Sequence, residues 1–119
     1  MIEKIVLNWL AEQLDVPVYM QEPESKPNPG MTPFVVLEKT GSSMENHLFT
    51  AMIAVQSYAA TLLEAAELND TVKKAMLQIT DLNDVTRVDL NSDYNFTDED
   101  TKQPRYQAVF DLTYYERME

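Results

Sequence analysis

The sequence predicts an α+β domain in which two helices pack on one face of an antiparallel, at most mixed, sheet of about four to five strands. Two segments carry apolar residues at helical spacing, several others have the apolar patterns of strands, and the links between them are short. The predicted order is helix, three strands, helix, two strands. At 119 residues, 45% of them apolar, the chain is long enough for a single domain with its own core.

The first helix is predicted over the opening segment, which Pro17 closes because proline disrupts a helix interior. Apolar residues recur there at three- and four-residue steps and form one stripe. The stripe consists of Ile2, Ile5, Val6, Trp9, Leu10 and Leu14. We expect this stripe to face the core. A short strand is predicted at 18–20.

A proline-rich loop follows the short strand. It runs from Gln21 to Pro33 and includes Pro23, Pro27 and Pro29, so it is neither a helix nor a central strand. We expect it to be extended or mobile, and a loop of this length in a small domain commonly carries a function. Three of its four prolines, Pro23, Pro27 and Pro29, are therefore candidate interface residues.

Two strands are predicted next. The first covers 34–40 and is followed by a turn or loop at 41–43. The second, 48–58, is the longest strand and is apolar on both sides, which predicts that both of its sides are covered. A helix of the same chain is expected on one side, and a neighbouring subunit is a candidate for the other.

The second half of the chain begins with the strongest helix pattern, over 59–80. Residues 69–70 either break this helix or cap a second piece. A strand at 85–92, an acidic, extended or mobile loop at 93–103 and a closing strand at 105–117 complete the order.

Large side chains in these elements are assigned mainly to the core. Tyr106 and Tyr114 are expected beneath the helices, whereas Tyr115 faces the other way and is a candidate interface residue. Met52 and Met76 are expected to fill the core.

The charge is strongly acidic. Nine Lys and Arg oppose twenty Asp and Glu, which gives a net charge of −11. Phosphate backbones and anionic membranes repel such a surface, so nucleic-acid binding through a basic patch and membrane binding are not expected. The N-terminus lacks the pattern of a signal peptide, and the expected location is the cytoplasm.

No catalytic set emerges from the sequence. There is no cysteine, and His47, the only histidine, is expected to be structural or exposed. Two glycines are too few for the usual phosphate-binding loops. An EF-hand beginning at Asp93 would require Gly and Glu where Asp98 and Pro104 stand. We expect no enzyme, cofactor or metal site; the acidic loop is a solvated hairpin tip, with a weak divalent-ion site as the alternative.

Several segments together resemble a known family. They are Trp9–Leu10, Val16–Tyr19, Pro33–Glu38, Ile53–Tyr58 and Arg105–Leu112. In these segments the chain resembles the tail-terminator, or tail-completion, proteins of long-tailed bacteriophages and prophages. The resemblance covers nearly the whole chain, and its motifs concern the fold rather than chemistry.

The resemblance implies a structural subunit of a ring, usually of six copies, on the head-proximal end of the tail tube. The ring would stop tube growth and join the tail to the head connector. The implied partners are other copies of the chain, the tail-tube protein and the head–tail connector proteins, while DNA would pass through the lumen without specific binding. The implied location is the host cytoplasm during assembly and then the virion tail.

The residues expected at ring or partner contacts lie in the two loops and near the ends of the last strand. They are Pro23, Pro27, Pro29, Asp98, Glu99, Asp100, Arg105, Tyr115 and Arg117. Arg105 and Arg117 are candidates for ion pairs with a neighbouring subunit, an intrachain partner being the alternative. A head–tail stopper or tube subunit is the nearest alternative function, and a small ligand-binding module or enzyme is an alternative of another class.

Overall fold

The computed structural model describes residues 1–23 and 32–116. Its elements follow the predicted order along the chain. They are helix α1 (Ile2–Gln13), strands β1 (Val18–Tyr19), β2 (Phe34–Glu45) and β3 (Leu48–Tyr58), helix α2 (Leu62–Leu77), a 3-10 turn (Ile79–Asp81), and strands β4 (Val85–Asn95) and β5 (Arg105–Tyr114). The α+β prediction is confirmed.

The five strands form one mixed sheet in the order β1-β2-β3-β5-β4. Strand β1 lies parallel to β2 over two residue pairs, and the other neighbours are antiparallel. The last strand lies between β3 and β4, so it pairs along both of its edges. The sheet therefore combines two hairpins that meet where β3 pairs with β5.

Both helices lie on one face of the sheet and cover its core. Strand residues on this helix-covered face are almost completely buried: Val35, Leu37, Ala51, Ile53, Val55, Ala108, Phe110 and Leu112. Helix α1 contributes Ile2, Val6 and Leu10 to the same core, as its stripe predicts. The indole Nε1–H of Trp9 donates to the Ala75 carbonyl oxygen at 2.8 Å, which joins the two helices.

Helix α2 is continuous through the position where a break was one alternative. Its N-terminus is capped by Thr61, whose hydroxyl accepts from the Glu64 backbone N–H. Asn69 is only 1% exposed, and its Nδ2 donates to Asp93 Oδ1 at 3.3 Å. A helix-to-strand hydrogen bond thus satisfies the Asn69 Nδ2 donor, while the buried Asn69 Oδ1 has no hydrogen-bond partner among the described residues.

Three predicted strand ends are wrong: β5 ends at Tyr114, before the predicted 117, and two other strands continue past their predicted ends. Strand β2 continues to Glu45 instead of turning at 41–43, and the chain turns at Asn46 and His47, with φ of 51° and 67°. Two adjacent left-handed residues are typical of a tight hairpin. Strand β4 continues to Asn95, so part of the predicted 93–103 loop is strand. In both cases pairing with a neighbouring strand extends a segment of weak strand propensity.

Within the described ranges, 1–23 and 32–116, no helix is long and apolar enough to cross a membrane.

Candidate functional site

The face of the sheet opposite the helices is called here the open face. Strand alternation and register place on it Phe34, Val36, Met52, Ala54, Gln56, Tyr58, Tyr94, Arg105, Gln107, Val109 and Asp111. Met52 is 38% exposed there, so its prediction as a core filler is wrong, whereas Met76 is fully buried as expected.

Arg105 is the centre of an aromatic cluster at the end of the sheet where β5 begins. The register aligns Phe34, Tyr58 and Arg105 across three strands. The rings of Phe34 and Tyr58 stack with centroids 4.6 Å apart. The guanidinium carbon lies 4.4 Å from the Phe96 ring centroid and 5.5 Å from that of Tyr58, within cation–π range.

Hydrogen bonds fix the same guanidinium. Its Nη1 donates to the Tyr58 hydroxyl at 3.0 Å, and its Nε donates to the Phe96 carbonyl oxygen at 2.8 Å. Arg105 takes part in none of the ion pairs between described residues. Among the described residues, this scarce cation is therefore held by rings, a hydroxyl and a carbonyl. We call Phe34, Tyr58, Phe96 and Arg105 the Arg105 cluster.

One described residue from each predicted interface loop acts electrostatically on this cluster. Burial raises the pKa of Tyr58, and the hydrogen bond and charge of Arg105 oppose that rise. The carboxylates of Glu22 and Asp98, one from each loop, add to it. Asp98 also anchors its own turn, where Asp98 Oδ1 accepts from the Asp100 N–H at 2.8 Å. The structure thus brings together segments that are about 76 residues apart in sequence.

A row of polar side chains crosses the open face beside the cluster. Gln56 Nε2 donates to Gln107 Oε1 at 2.9 Å, and Gln107 Nε2 donates to the Tyr94 hydroxyl. The Tyr58 hydroxyl donates to Gln56 Oε1 at 3.3 Å and connects this polar row to the Arg105 cluster. Sequence reasoning missed Gln56, Gln107 and Tyr94, because only the strand register shows that they are neighbours.

Tyr115 lies at the opposite end of the sheet. Its side chain is 51% exposed, and its backbone N–H donates to the Asp84 carbonyl oxygen at 2.9 Å. The whole of β5 separates it from Arg105, roughly 33 Å for ten strand residues. Next to it, Glu116 pairs with the N-terminal ammonium at 3.2 Å. The predicted interface residues therefore divide between two ends of the sheet.

The remaining predicted residues have simpler placements. Pro23 is half-buried at the edge of the described segment, and Glu99 and Asp100 are exposed. Pro27, Pro29 and Arg117 lie outside the described residues.

Few features suggest catalysis. His47 is exposed at the tip of the β2–β3 hairpin and lines neither of two surface grooves, one beside Trp9 and one beside Met52. No group of three or more acidic or histidine side chains in the described ranges is arranged to hold a metal ion.

Comparison of the sequence with protein-family models gave no match, and a search of curated proteins found no relative. The resemblance to tail terminators therefore stays a prediction.

Proposed function

We propose that this chain is a structural subunit that forms a ring at the head-proximal end of a phage tail tube. The ring stops tube growth and joins the tail to the head connector. The proposal combines the family resemblance with an α+β fold of the implied kind. It predicts no catalysis and no cofactor, and places the protein in the host cytoplasm during assembly and later in the virion tail.

The observation that supports the proposal is that the predicted contact residues lie at two ends of one sheet. A closed ring uses heterologous contacts, in which one surface of each subunit meets a different surface of the next. The Arg105 cluster and the Tyr115 end differ in composition and lie apart. They supply two such surfaces, and six copies would close the ring.

The acidic charge fits the environment of this ring. A lumen that DNA must traverse works best without tight phosphate contacts, and a subunit of net charge −11 disfavours them. Arg105 is already held within the cluster. A neighbouring carboxylate that reaches its guanidinium therefore gains a positioned donor at little entropic cost.

Two other functions compete with a terminator. A head–tail stopper or a tube subunit would use the same two ends, and only the position in the particle separates these functions. A small ligand-binding module or enzyme would need convergent polar groups around His47, which is exposed on a two-residue turn.

Deletion of the gene from its phage or prophage, followed by induction and electron microscopy, tests the proposal. We expect filled heads without tails beside free tails of irregular, excessive length. Complementation with the intact gene is the control. Tails of normal length that fail to join heads would indicate a joining protein, and heads without any tails would indicate a tube subunit. Intact infectious particles would refute a role in the virion.

A further inference from the structure

A surface groove of about 370 Å³ lies between helix α1 and the segment that leads into β4. It is separate from the Arg105 cluster. Its lining consists of Ile5, Asn8, Trp9, Glu12, Leu82, Asn83 and Asp84. We call it the Trp9 groove.

The floor of the Trp9 groove is apolar and firmly held. Ile5, Trp9 and Leu82 are partly buried and pack against the main core. The indole N–H of Trp9 is already bonded to the Ala75 carbonyl oxygen, so this side chain offers the groove its ring rather than a hydrogen-bond donor. A ring fixed in this way can receive an aliphatic chain or a cation.

The rim of the groove is acidic. The carboxylates of Glu12 and Asp84 take part in no hydrogen bond or ion pair with any residue of the described chain, and Asp84 is engaged only through its backbone. The Asn8 amide is also on the rim. An apolar floor with two uncompensated carboxylates above it is complementary to a side chain with an aliphatic stem and a positive head.

We propose that the Trp9 groove binds a lysine or arginine side chain from a basic segment of a partner protein. The stem lies on Ile5 and Leu82, the head reaches Glu12 and Asp84, and the Trp9 ring adds a cation–π contact. The groove volume lies within the usual range for specific pockets and leaves room for an apolar residue beside the cation.

The charge balance favours a different protein over a second copy. The chain has nine cationic side chains against twenty carboxylates. Lys39, Lys73 and Arg87 already form ion pairs within the subunit, and Arg105 is held in its cluster. A partner protein richer in Lys and Arg would have unpaired cationic side chains that can enter the groove. This inference rests on the groove alone and does not require the proposed ring.

Binding is tested with the full chain and a blocked tripeptide, acetyl-Leu-Arg-Leu-amide. The matched peptide has citrulline in place of arginine, which keeps the shape and removes the charge. Trp9 is the only tryptophan, so its fluorescence and its indole N–H resonance report on this groove alone. We expect saturable changes with the arginine peptide and binding at least about fivefold weaker for the citrulline peptide.

Variants then test whether the rim carboxylates bind the positive charge of the peptide. Glu12→Gln and Asp84→Asn are each expected to weaken arginine-peptide binding about two- to fivefold, and added salt should weaken binding to the parent protein. Glu67→Gln, which changes an exposed carboxylate on α2 outside the groove, is the control and should bind like the parent. Circular dichroism checks that each variant is folded. Because Glu12 is exposed, Glu12→Gln should stay folded and still tests the proposal if Asp84→Asn unfolds.

Three results would overturn the inference: no binding of the arginine peptide, equal binding of both peptides, or unchanged binding in the folded Glu12→Gln variant and its combination with Asp84→Asn. A dimer of the chain that forms without peptide and is lost in these variants would replace the partner by a second copy. None of these results depends on particle assembly, so the gene-deletion phenotype is judged separately.

Discussion

The two faces of the sheet come from the same strands but are stabilised by different chemistry. The helix-covered face is a continuous apolar layer, with Ile53 and Phe110 fully buried. The open face carries instead a glutamine–tyrosine row and an arginine between aromatic rings. Burial of apolar area, which is non-directional, stabilises the helix-covered face. The open face depends on particular hydrogen-bond donors and acceptors.

The largest expected effect is on the helix-covered face. Phe110→Ala should lower the free energy of unfolding by about 3–5 kcal/mol, because it opens a cavity beneath the helices. Met52→Ala, on the neighbouring strand but half-exposed on the open face, is the matched control and should cost about 1 kcal/mol or less. Urea unfolding measures both. Similar losses in the two variants would contradict the contrast between the faces.

A smaller effect is expected in the polar row. Gln107→Ala leaves Gln56 and Tyr94 without their partner and should cost about 1–2 kcal/mol. Replacing both Gln56 and Gln107 by Leu removes the amide that the single change leaves unpaired but takes the acceptor from the Tyr58 hydroxyl, so it should cost less than the sum of the two single changes. The comparison uses the same unfolding measurement. A double variant that loses the sum of two single losses would show that the row is not a unit.

The smallest effect concerns pH. Because burial raises the pKa of Tyr58 above the usual tyrosine value of 10.0, the protonated hydroxyl contributes stability that is complete below that pH. This contribution is lost as pH rises through the pKa of the folded state. Tyr58→Phe should therefore reduce the loss of thermal stability between about pH 9 and 11. The pKa values of Tyr114 and Lys73 are also raised, so part of the loss of stability with rising pH should remain in the variant. An unchanged slope would contradict the assignment to Tyr58.

The same contrast explains what the sequence could and could not predict. Periodicity identified the helices and the buried side of β5, because apolar burial leaves a regular pattern. It failed at 41–45 and 93–95, where pairing with a neighbouring strand stabilises polar residues in extended form. It also placed Met52 in the core, since one residue type does not reveal which face is covered.

The candidate site was predictable only as single residues. Arg105 was identified by the rarity of positive charge, and the two loops by composition. Their convergence on Tyr58, and the partnership of Gln56 with Gln107, depend on register between distant segments, which periodicity cannot supply. The distance between Arg105 and Tyr115 follows from the strand itself, because Arg105 begins β5 and Tyr115 directly follows its last residue.

Strand β1 is so short that it pairs with only a small part of β2. Within the described residues, β1 pairs only with Val35 and Val36, so no described strand pairs with the outer edge of β2 beyond them. The β2 amides that point to this outer edge have no described strand to bond, whereas those facing β3 are paired, with a register shift between Lys39 and Gly41. In deuterated water we expect fast and slow amides to alternate on either side of that shift, and slow exchange along β5, which is paired on both sides.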